Sequence, residues 1–167
     1  GTINDDDSAP TATDNTLTTS EDTPIVVSTS TLGYNDLNGD ALSTVTITEL
    51  PTVGTLYLDA DGDGVFDEGE QISLNQVITL ADLDASNLQF VPDLNDNGDN
   101  YASFDFNVND GTNAATADNT ISFNVTPVND APVATVENLS ADEDIPVIGD
   151  LSDNVTDIDG DDLTFSV

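Results

Sequence analysis

The sequence predicts an all-β protein, namely a Greek-key antiparallel β-sandwich that occurs as tandem modules. Apolar side chains alternate with polar ones at a period of two, which is typical of strands with one buried face. Asn, Asp, Gly and Pro fill the gaps between these segments, as turns require. A set of short motifs also recurs at an offset of about 122 residues, which indicates an array of similar units.

The alternating segments locate the strands. In "ASFDFNVN" and "TISFNVT" every second residue is Phe, Val or Ile, with Ser, Asn or Asp between them. The predicted core positions are Val45, Ile47, Leu56, Leu58, Leu88, Phe90, Phe104, Phe106, Val108, Ile121, Phe123 and Val125. About seven strands of this kind suffice for a sandwich. Only "TLADLDASN" favours a short helical turn.

The repeat sets the expected domain organisation. "DSAPTAT" recurs as "DAPVATV", in which Pro132 lies 122 residues after Pro10, and "SEDTP" and "DEDIP" keep that offset. We expect residues 1–7 to end a preceding module and linker, residues 8–127 to form a complete module, and residues 128–167 to begin an incomplete one. Two explanations of the incomplete module stay open, truncation of a longer array or completion by strands of a neighbouring chain.

The charge limits the possible partners. The chain has 167 residues, of which 34 are Asp or Glu and none is Lys, Arg or His, so its formal net charge is -34. Its carboxylates must be solvated, hydrogen-bonded or bound to cations, and nucleic acid and anionic membranes are repelled. A salt-adapted acidic surface is one alternative, but it predicts scattered acids rather than patterned ones. Cys is absent, so a metal is the obvious replacement for disulfides.

The stretch "DADGDGVFDEGE", residues 59–70, fits the calcium-loop pattern D-x-D-x-D-G-x5-E at every position. Gly64 permits the sharp turn, and oxygen-only ligation suits Ca²⁺ better than Zn²⁺ or Mg²⁺. The flanks "TLYL" and "QISL" are typical of strands, which predicts a β-hairpin loop and not a helical EF-hand. The alternative is a solvated acidic hairpin tip. The predicted ligands are Asp59, Asp61, Asp63, the Val65 carbonyl, Asp67 and Glu70.

A second acidic set is spread along the chain and requires the fold to assemble it. Loops of a sandwich alternate between its two ends, here called the upstream and downstream poles. "SED" and "DLNDNGD" are expected at the downstream pole of the first module, from which the linker "VND" leaves. "DIDGDD" is expected at the upstream pole of the next module. The alternative is that Asx-rich turns merely cap strand ends.

These motifs resemble a known family. "VNDAP", "EDTP", "EDIP", "DIDGDDLTFSV" and "FNVNDGT" are similar to the bacterial cadherin-like and immunoglobulin-like tandem repeats of giant calcium-binding surface adhesins, the extender modules of RTX-type adhesins. The resemblance implies Ca²⁺ between consecutive modules. It implies three ligand groups: Glu21, Asn129, Asp130, Asp157, Asp159 and Asp161 between the two modules; Asn4, Asp5, Asp36 and Asp40 towards an upstream module; Glu143 and Asp144 towards a downstream one. Asn38 stands where this pattern has Asp, which implies fewer or weaker ions there.

The expected function is a calcium-rigidified structural spacer of an extracellular adhesin or fibre, at the cell surface or secreted. Its expected partners are neighbouring modules of the same chain or identical chains in a fibre, without nucleic acid or membrane insertion. Alternatives are a self-assembling fibre subunit and a calcium-dependent ligand-binding module, although Trp and Arg are absent. An enzyme is not expected: paired carboxylates alone can hydrolyse glycosides, but His, Cys and Lys are absent and the acid pairs of this chain lie in calcium patterns.

Overall fold

The computed structural model describes residues 7–136, 140, 142–144, 146 and 150–165. The chain divides into two compact units, Gly1–Pro127 and Val128–Val167, and each is described by itself. Strands dominate the described residues, whose helical content is one short α-helix and two 3₁₀ turns, so the prediction of an all-β protein is confirmed.

The described residues of the first unit form eight strands and one short α-helix. The strands are β1 Asn15–Ser20, β2 Ile25–Val26, β3 Thr44–Glu49, β4 Thr55–Leu58, β5 Val77–Thr79, β6 Leu88–Val91, β7 Gly98–Asn109 and β8 Asn119–Thr126. The helix α1 spans Leu80–Asp84, and a single 3₁₀ turn spans Thr29–Thr31.

These strands form two sheets. One has five strands in the order β1-β8-β7-β3-β5, and the other has three in the order β2-β6-β4. Neighbouring strands are antiparallel except β1, which runs parallel to β8. The prediction of a wholly antiparallel arrangement is therefore wrong at this edge. No hairpin turn fixes the direction of β1 relative to β8, because the two strands are far apart in the chain.

Side chains from both sheets meet in one core. Phe90 of β6 stacks on Phe123 of β8, and Phe104 and Phe106 of β7 extend the same cluster. The predicted alternation is confirmed in β3, β7 and β8, whose inward residues are buried while their neighbours are more exposed.

Strand β4 departs from the prediction. Leu56 is buried as expected, but Leu58 is only partly buried while Tyr57 is fully buried. The reason is that the 59–70 loop folds back over the outer face of the three-stranded sheet, so that Phe66 packs edge-on against the ring of Tyr57 at 5.5 Å. The strand is therefore covered on both faces.

The predicted helical turn is confirmed as α1. It begins with a capping box in which the Thr79 side chain accepts from the Asp82 N–H and the Asp82 carboxylate accepts from the Thr79 N–H. Leu83 anchors it in the core. Among the described residues, no helix has the length and apolar character that crossing a bilayer would require.

The second unit reproduces a local arrangement of the first. Its strands β9 Val133–Ala134 and β10 Val155–Thr156 are antiparallel, with Val133 opposite Thr156. In the first unit the residues at offsets of 122 and 121, Thr11 and Asn35, form the equivalent antiparallel bridge. The sequence repeat therefore corresponds to a repeated backbone pairing.

Candidate metal centre

Residues 59–70 form a loop whose two ends are tied together at its base. The Leu58 N–H donates to the Glu70 carbonyl at 2.9 Å, and Tyr57 pairs with Gln71 as an antiparallel bridge. The flanks are therefore extended, as predicted. Gly64 has a φ of +79°, a conformation that L side chains rarely adopt, so the turn depends on glycine at this position.

Three aspartates converge inside this loop. One carboxylate oxygen each of Asp59, Asp61 and Asp63 lies within 4.8 Å of the other two, and the described residues contain no second acidic group as tight. Asp59 is buried, whereas Asp61 and Asp63 are exposed. The chain supplies no cationic side chain to neutralise them. This cluster could hold a metal ion.

Asp59 is held by three N–H donors. Its Oδ1 accepts from the Gly62 N–H at 2.7 Å, while its Oδ2 accepts from the Gly64 N–H and from Gln89 Nε2, both at 2.9 Å. A carboxylate offers about four lone-pair sites, two on each oxygen. The free site is therefore on Oδ1, so Asp59 can offer one oxygen to a cation.

Glu70 closes the loop in a different way. Its Oε1 accepts from the Ala60 N–H at 2.8 Å and its Oε2 accepts from the Asp67 N–H at 3.0 Å. Each oxygen keeps one lone-pair site, so Glu70 can offer both oxygens to a cation. This is the behaviour expected of position 12 of a calcium loop.

The electrostatics of the loop are strongly negative. The neighbouring charge of Asp63, together with partial desolvation and the charges of Asp61, Glu70 and Asp59, raises the pKa of Asp67. Burial raises the pKa of Tyr57 to about 12, and the charges of Asp59, Glu70 and Asp63 act in the same direction. The shift at Asp67 reports chiefly repulsion between carboxylates, which a bound cation would relieve, whereas the shift at Tyr57 reports chiefly burial.

A second acidic group lies at the upstream pole of the first unit. Asp36 Oδ1 accepts from the N–H groups of Asn38 and Asp40, and Asp110 Oδ1 accepts from the N–H groups of Thr112 and Asn113. Within the part of the chain that the structure describes, no donor reaches the Oδ2 atom of Asp36 or of Asp110, although both atoms are shielded from solvent. Buried carboxylate oxygens of this kind suit a cation.

Tyr34 and Asn113 connect the members of this upstream group. The Tyr34 hydroxyl donates to the Asp40 carbonyl at 2.9 Å, and its pKa is raised by burial and by the charges of Asp36, Asp110 and Asp40. Asn113 Nδ2 donates to Asp7 Oδ2 at 3.0 Å. The sequence motifs indicate Asp36 and Asp40 as ligands but do not indicate Asp7 or Asp110. The "FNVNDGT" motif contained the signal for Asp110, because an acid that follows a strand lies at a pole.

The second unit repeats the Asp36 turn. Asp157 Oδ1 accepts from the N–H groups of Asp159 and Asp161 at 3.0 and 3.3 Å. Asp159 Oδ2 accepts from the Asp130 N–H at 2.6 Å, just as Asn38 Oδ1 accepts from the Ser8 N–H at 2.8 Å in the first unit. The third residue of this turn is therefore an amide, Asn38, in the first unit and a carboxylate, Asp159, in the second.

The remaining predicted ligands are distributed as follows. At the downstream pole of the first unit Glu21 is buried and accepts from Asn97 Nδ2 at 3.0 Å, and Asp22 accepts from the Asn95 N–H. Asn129 donates to its neighbour's carbonyl, and Glu143 and Asp144 lie in an exposed turn. Asn4 and Asp5 lie outside the described residues. The metal-binding roles assigned to these residues stay predictions.

Comparisons of the chain with protein families, with curated proteins and with solved structures found no match.

Proposed function

We propose that the chain is a calcium-rigidified structural spacer of an extracellular adhesin or fibre, built from cadherin-like and immunoglobulin-like β-sandwich modules with Greek-key connections. The single observation that carries this proposal is the 59–70 loop. Its ends are fixed by backbone pairing, three aspartates converge inside it, and the chain has no cationic side chain.

The choice of Ca²⁺ follows from the donor set. Asp59 has a free lone-pair site on one oxygen and Glu70 has one on each oxygen, and the carboxylates of Asp61 and Asp63 converge with that of Asp59. In the calcium-loop pattern the carbonyl of Val65 supplies a further oxygen. With Asp67 or a water, this amounts to about six or seven oxygens, which is the coordination number of Ca²⁺. Mg²⁺ prefers a smaller octahedral shell that retains several waters, and Zn²⁺ prefers nitrogen and sulfur.

The repeated turns support the spacer role. Asp36 in the first unit and Asp157 in the second each accept from the backbone N–H groups two and four residues further along the chain. Both turns are rich in acidic residues. Each ion that binds the folded state alone stabilises it, by about 2.7 kcal/mol when the free ion is at 100 times its Kd. A spacer with such sites has a stable folded state in a calcium-rich medium and a less stable one in the presence of a chelator.

The experiment is thermal unfolding followed by circular dichroism in CaCl2, in MgCl2, in EDTA, and in NaCl at matched ionic strength. We expect a large rise in Tm that is specific to CaCl2, and isothermal titration calorimetry then counts the sites. The double variant Asp61→Asn/Asp63→Asn serves as a control that keeps the loop but removes two charges, and it should lose part of the rise. Equal Tm values in all four media would refute the proposal.

A further inference from the structure

A chain of buried polar groups lies beneath the 59–70 loop. The Tyr57 hydroxyl lies 3.2 Å from Gln89 Oε1 and 3.4 Å from the Gly64 carbonyl, with the amide oxygen as the nearer acceptor. Gln89 Nε2 donates to Asp59 Oδ2 at 2.9 Å. Their exposed fractions are 0% for Tyr57, 7% for Gln89 and 3% for Asp59. Tyr57 and Gln89 lie directly opposite each other on the paired strands β4 and β6.

These hydrogen bonds fix which end of the Gln89 amide faces the metal loop. An ionised carboxylate only accepts hydrogen bonds, so the atom that meets Asp59 must be the amide nitrogen. The amide oxygen then faces Tyr57, whose hydroxyl can donate to it. A buried amide is unfavourable unless its hydrogen bonds are made, and here both ends have a partner.

Gln89 also determines how many lone-pair sites of the Asp59 carboxylate remain available to a cation. Together with the Gly64 N–H, the Gln89 amide occupies both lone-pair sites of Oδ2, which leaves one site on Oδ1. Without Gln89, Oδ2 would regain a free site and lose the donor that fixes the plane of the carboxylate. Both oxygens of Asp59 would then compete for the same ion.

We propose that Gln89, held in place by Tyr57, is a positioning residue that makes Asp59 a one-oxygen ligand of the loop's Ca²⁺. This inference rests on the proposed function, because it assigns a role within the same metal loop. The partners that orient metal ligands through hydrogen bonds generally affect affinity strongly, and their removal weakens binding about 10- to 100-fold. We expect an effect of that size from Gln89→Leu.

The test titrates CaCl2 into the metal-free full chain and into three variants by isothermal titration calorimetry. Gln89→Leu should weaken the binding at the loop about 10- to 100-fold. Tyr57→Phe removes a single oxygen atom and should weaken it less, in the same direction. Gln76→Leu is the matched control, because the Gln76 side chain also makes a hydrogen bond, accepting from the Ser73 N–H outside the loop, and the Kd of this variant should equal that of the wild type.

A spectroscopic measurement separates positioning from a general structural effect. Carboxylate stretching bands in the infrared spectrum differ between one-oxygen and two-oxygen coordination. With ¹³C-labelled aspartate, the difference between the calcium-loaded and calcium-free spectra is recorded for the wild-type chain and for each variant. At saturating CaCl2 the difference spectrum of Gln89→Leu should contain a two-oxygen band that the wild-type chain lacks, and the difference spectrum of Gln76→Leu should match that of the wild type.

The outcomes are distinguishable. Wild-type chain that binds no Ca²⁺ overturns the proposed function and this inference with it. Wild-type chain that binds, with an unchanged Kd and an unchanged infrared spectrum in Gln89→Leu, overturns this inference alone. If Gln89→Leu does not fold, as judged by far-ultraviolet circular dichroism, Gln89→Met, which keeps the length of the side chain but removes the amide, decides: an unchanged Kd overturns the inference and a weakened one supports it.

Discussion

The rings of Phe90 and Phe123 stack with their centroids 4.0 Å apart and their planes 9° from parallel. Phe90 belongs to the three-stranded sheet and Phe123 to the five-stranded sheet, so this pair joins the two sheets of the first unit. The residue before Phe90 is Gln89, and successive side chains of a strand point to opposite faces. Strand β6 therefore contributes Phe90 to the core and Gln89 to the metal loop.

Replacing Phe90 by Ala should destabilise the first unit severely. The side chain is fully buried, and its loss removes the stack and leaves a cavity. Substitutions of this kind cost about 3–5 kcal/mol. Leu74→Ala is the matched control, because Leu74 is 55% exposed, and it should change the free energy of unfolding by less than about 0.5 kcal/mol. Urea unfolding in saturating CaCl2 measures both, and similar values for the two variants would contradict the assigned core.

The sequence predicts most of this core because alternation is a local property of a strand with one buried face. It fails at Tyr57, whose outward face is covered by the loop that begins two residues later. It also fails for the direction of β1, because a parallel pairing between the first and last strands of a unit leaves no local pattern. Both failures concern contacts that depend on segments outside the strand itself.

Glu70→Gln should weaken calcium binding at the loop by about tenfold or more, which corresponds to roughly 1.4 kcal/mol. The substitution removes a charge and leaves one oxygen where two can face the ion. Glu68→Gln provides the control, because Glu68 is exposed, carries the same charge and lies two residues away. Isothermal titration calorimetry should give an almost unchanged Kd for Glu68→Gln. Equal losses in both variants would mean that net charge alone drives binding.

Asp67→Asn should raise the stability of the metal-free chain. The pKa of Asp67 is raised chiefly by the charge of Asp63, so ionised Asp67 is repelled in the folded loop. Removing its charge relieves that repulsion, and we expect a higher Tm in EDTA. In CaCl2 the advantage should shrink, because the ion already neutralises the loop. A lower Tm in EDTA would contradict this account of the loop's electrostatics.

The free energy of unfolding of the first unit should decrease as the pH rises through the alkaline range, because of Tyr57. Its pKa is 10.0 in the unfolded chain and about 12 in the folded one, chiefly because of burial. Below pH 10 both states keep the proton and the full stability is present. Between pH 10 and about 12 the unfolded state releases the proton first, so unfolding becomes more favourable. Urea unfolding across this range measures how the free energy of unfolding depends on pH. It should fall less steeply with rising pH in Tyr57→Phe than in the wild type, and an identical dependence would refute the raised pKa of Tyr57.

The metal ligands that lie within one short stretch can be predicted from the sequence, whereas the hydrogen-bond partners from distant segments cannot. Asp59, Asp61 and Asp63 fall within five residues, so their spacing alone indicates a cation loop. Gln89 reaches the same loop from 30 residues away, and Asn113 reaches Asp7 across 106 residues. Such partners belong to no local pattern. They become visible only when the strands that carry them are paired.

The amide of Asn38 offers a way to strengthen the upstream group. Asn38→Asp restores the carboxylate that Asp159 provides in the second unit, and its oxygen can still accept from the Ser8 N–H, as Asp159 accepts from the Asp130 N–H. In EDTA the added charge should lower the Tm, because Asp36 and Asp110 already place buried carboxylate oxygens nearby.

In CaCl2 the effect of Asn38→Asp should reverse, so that the rise in Tm between EDTA and CaCl2 is larger than in the wild type. Affinity of oxygen sites for Ca²⁺ increases with the number of charged ligands. Asn75→Asp adds the same charge in an exposed turn and should not enlarge the rise. If the two variants respond alike, the upstream group is not a calcium site and its buried oxygens require another explanation. A larger rise confined to Asn38→Asp would assign the upstream pole to calcium independently of the hairpin loop.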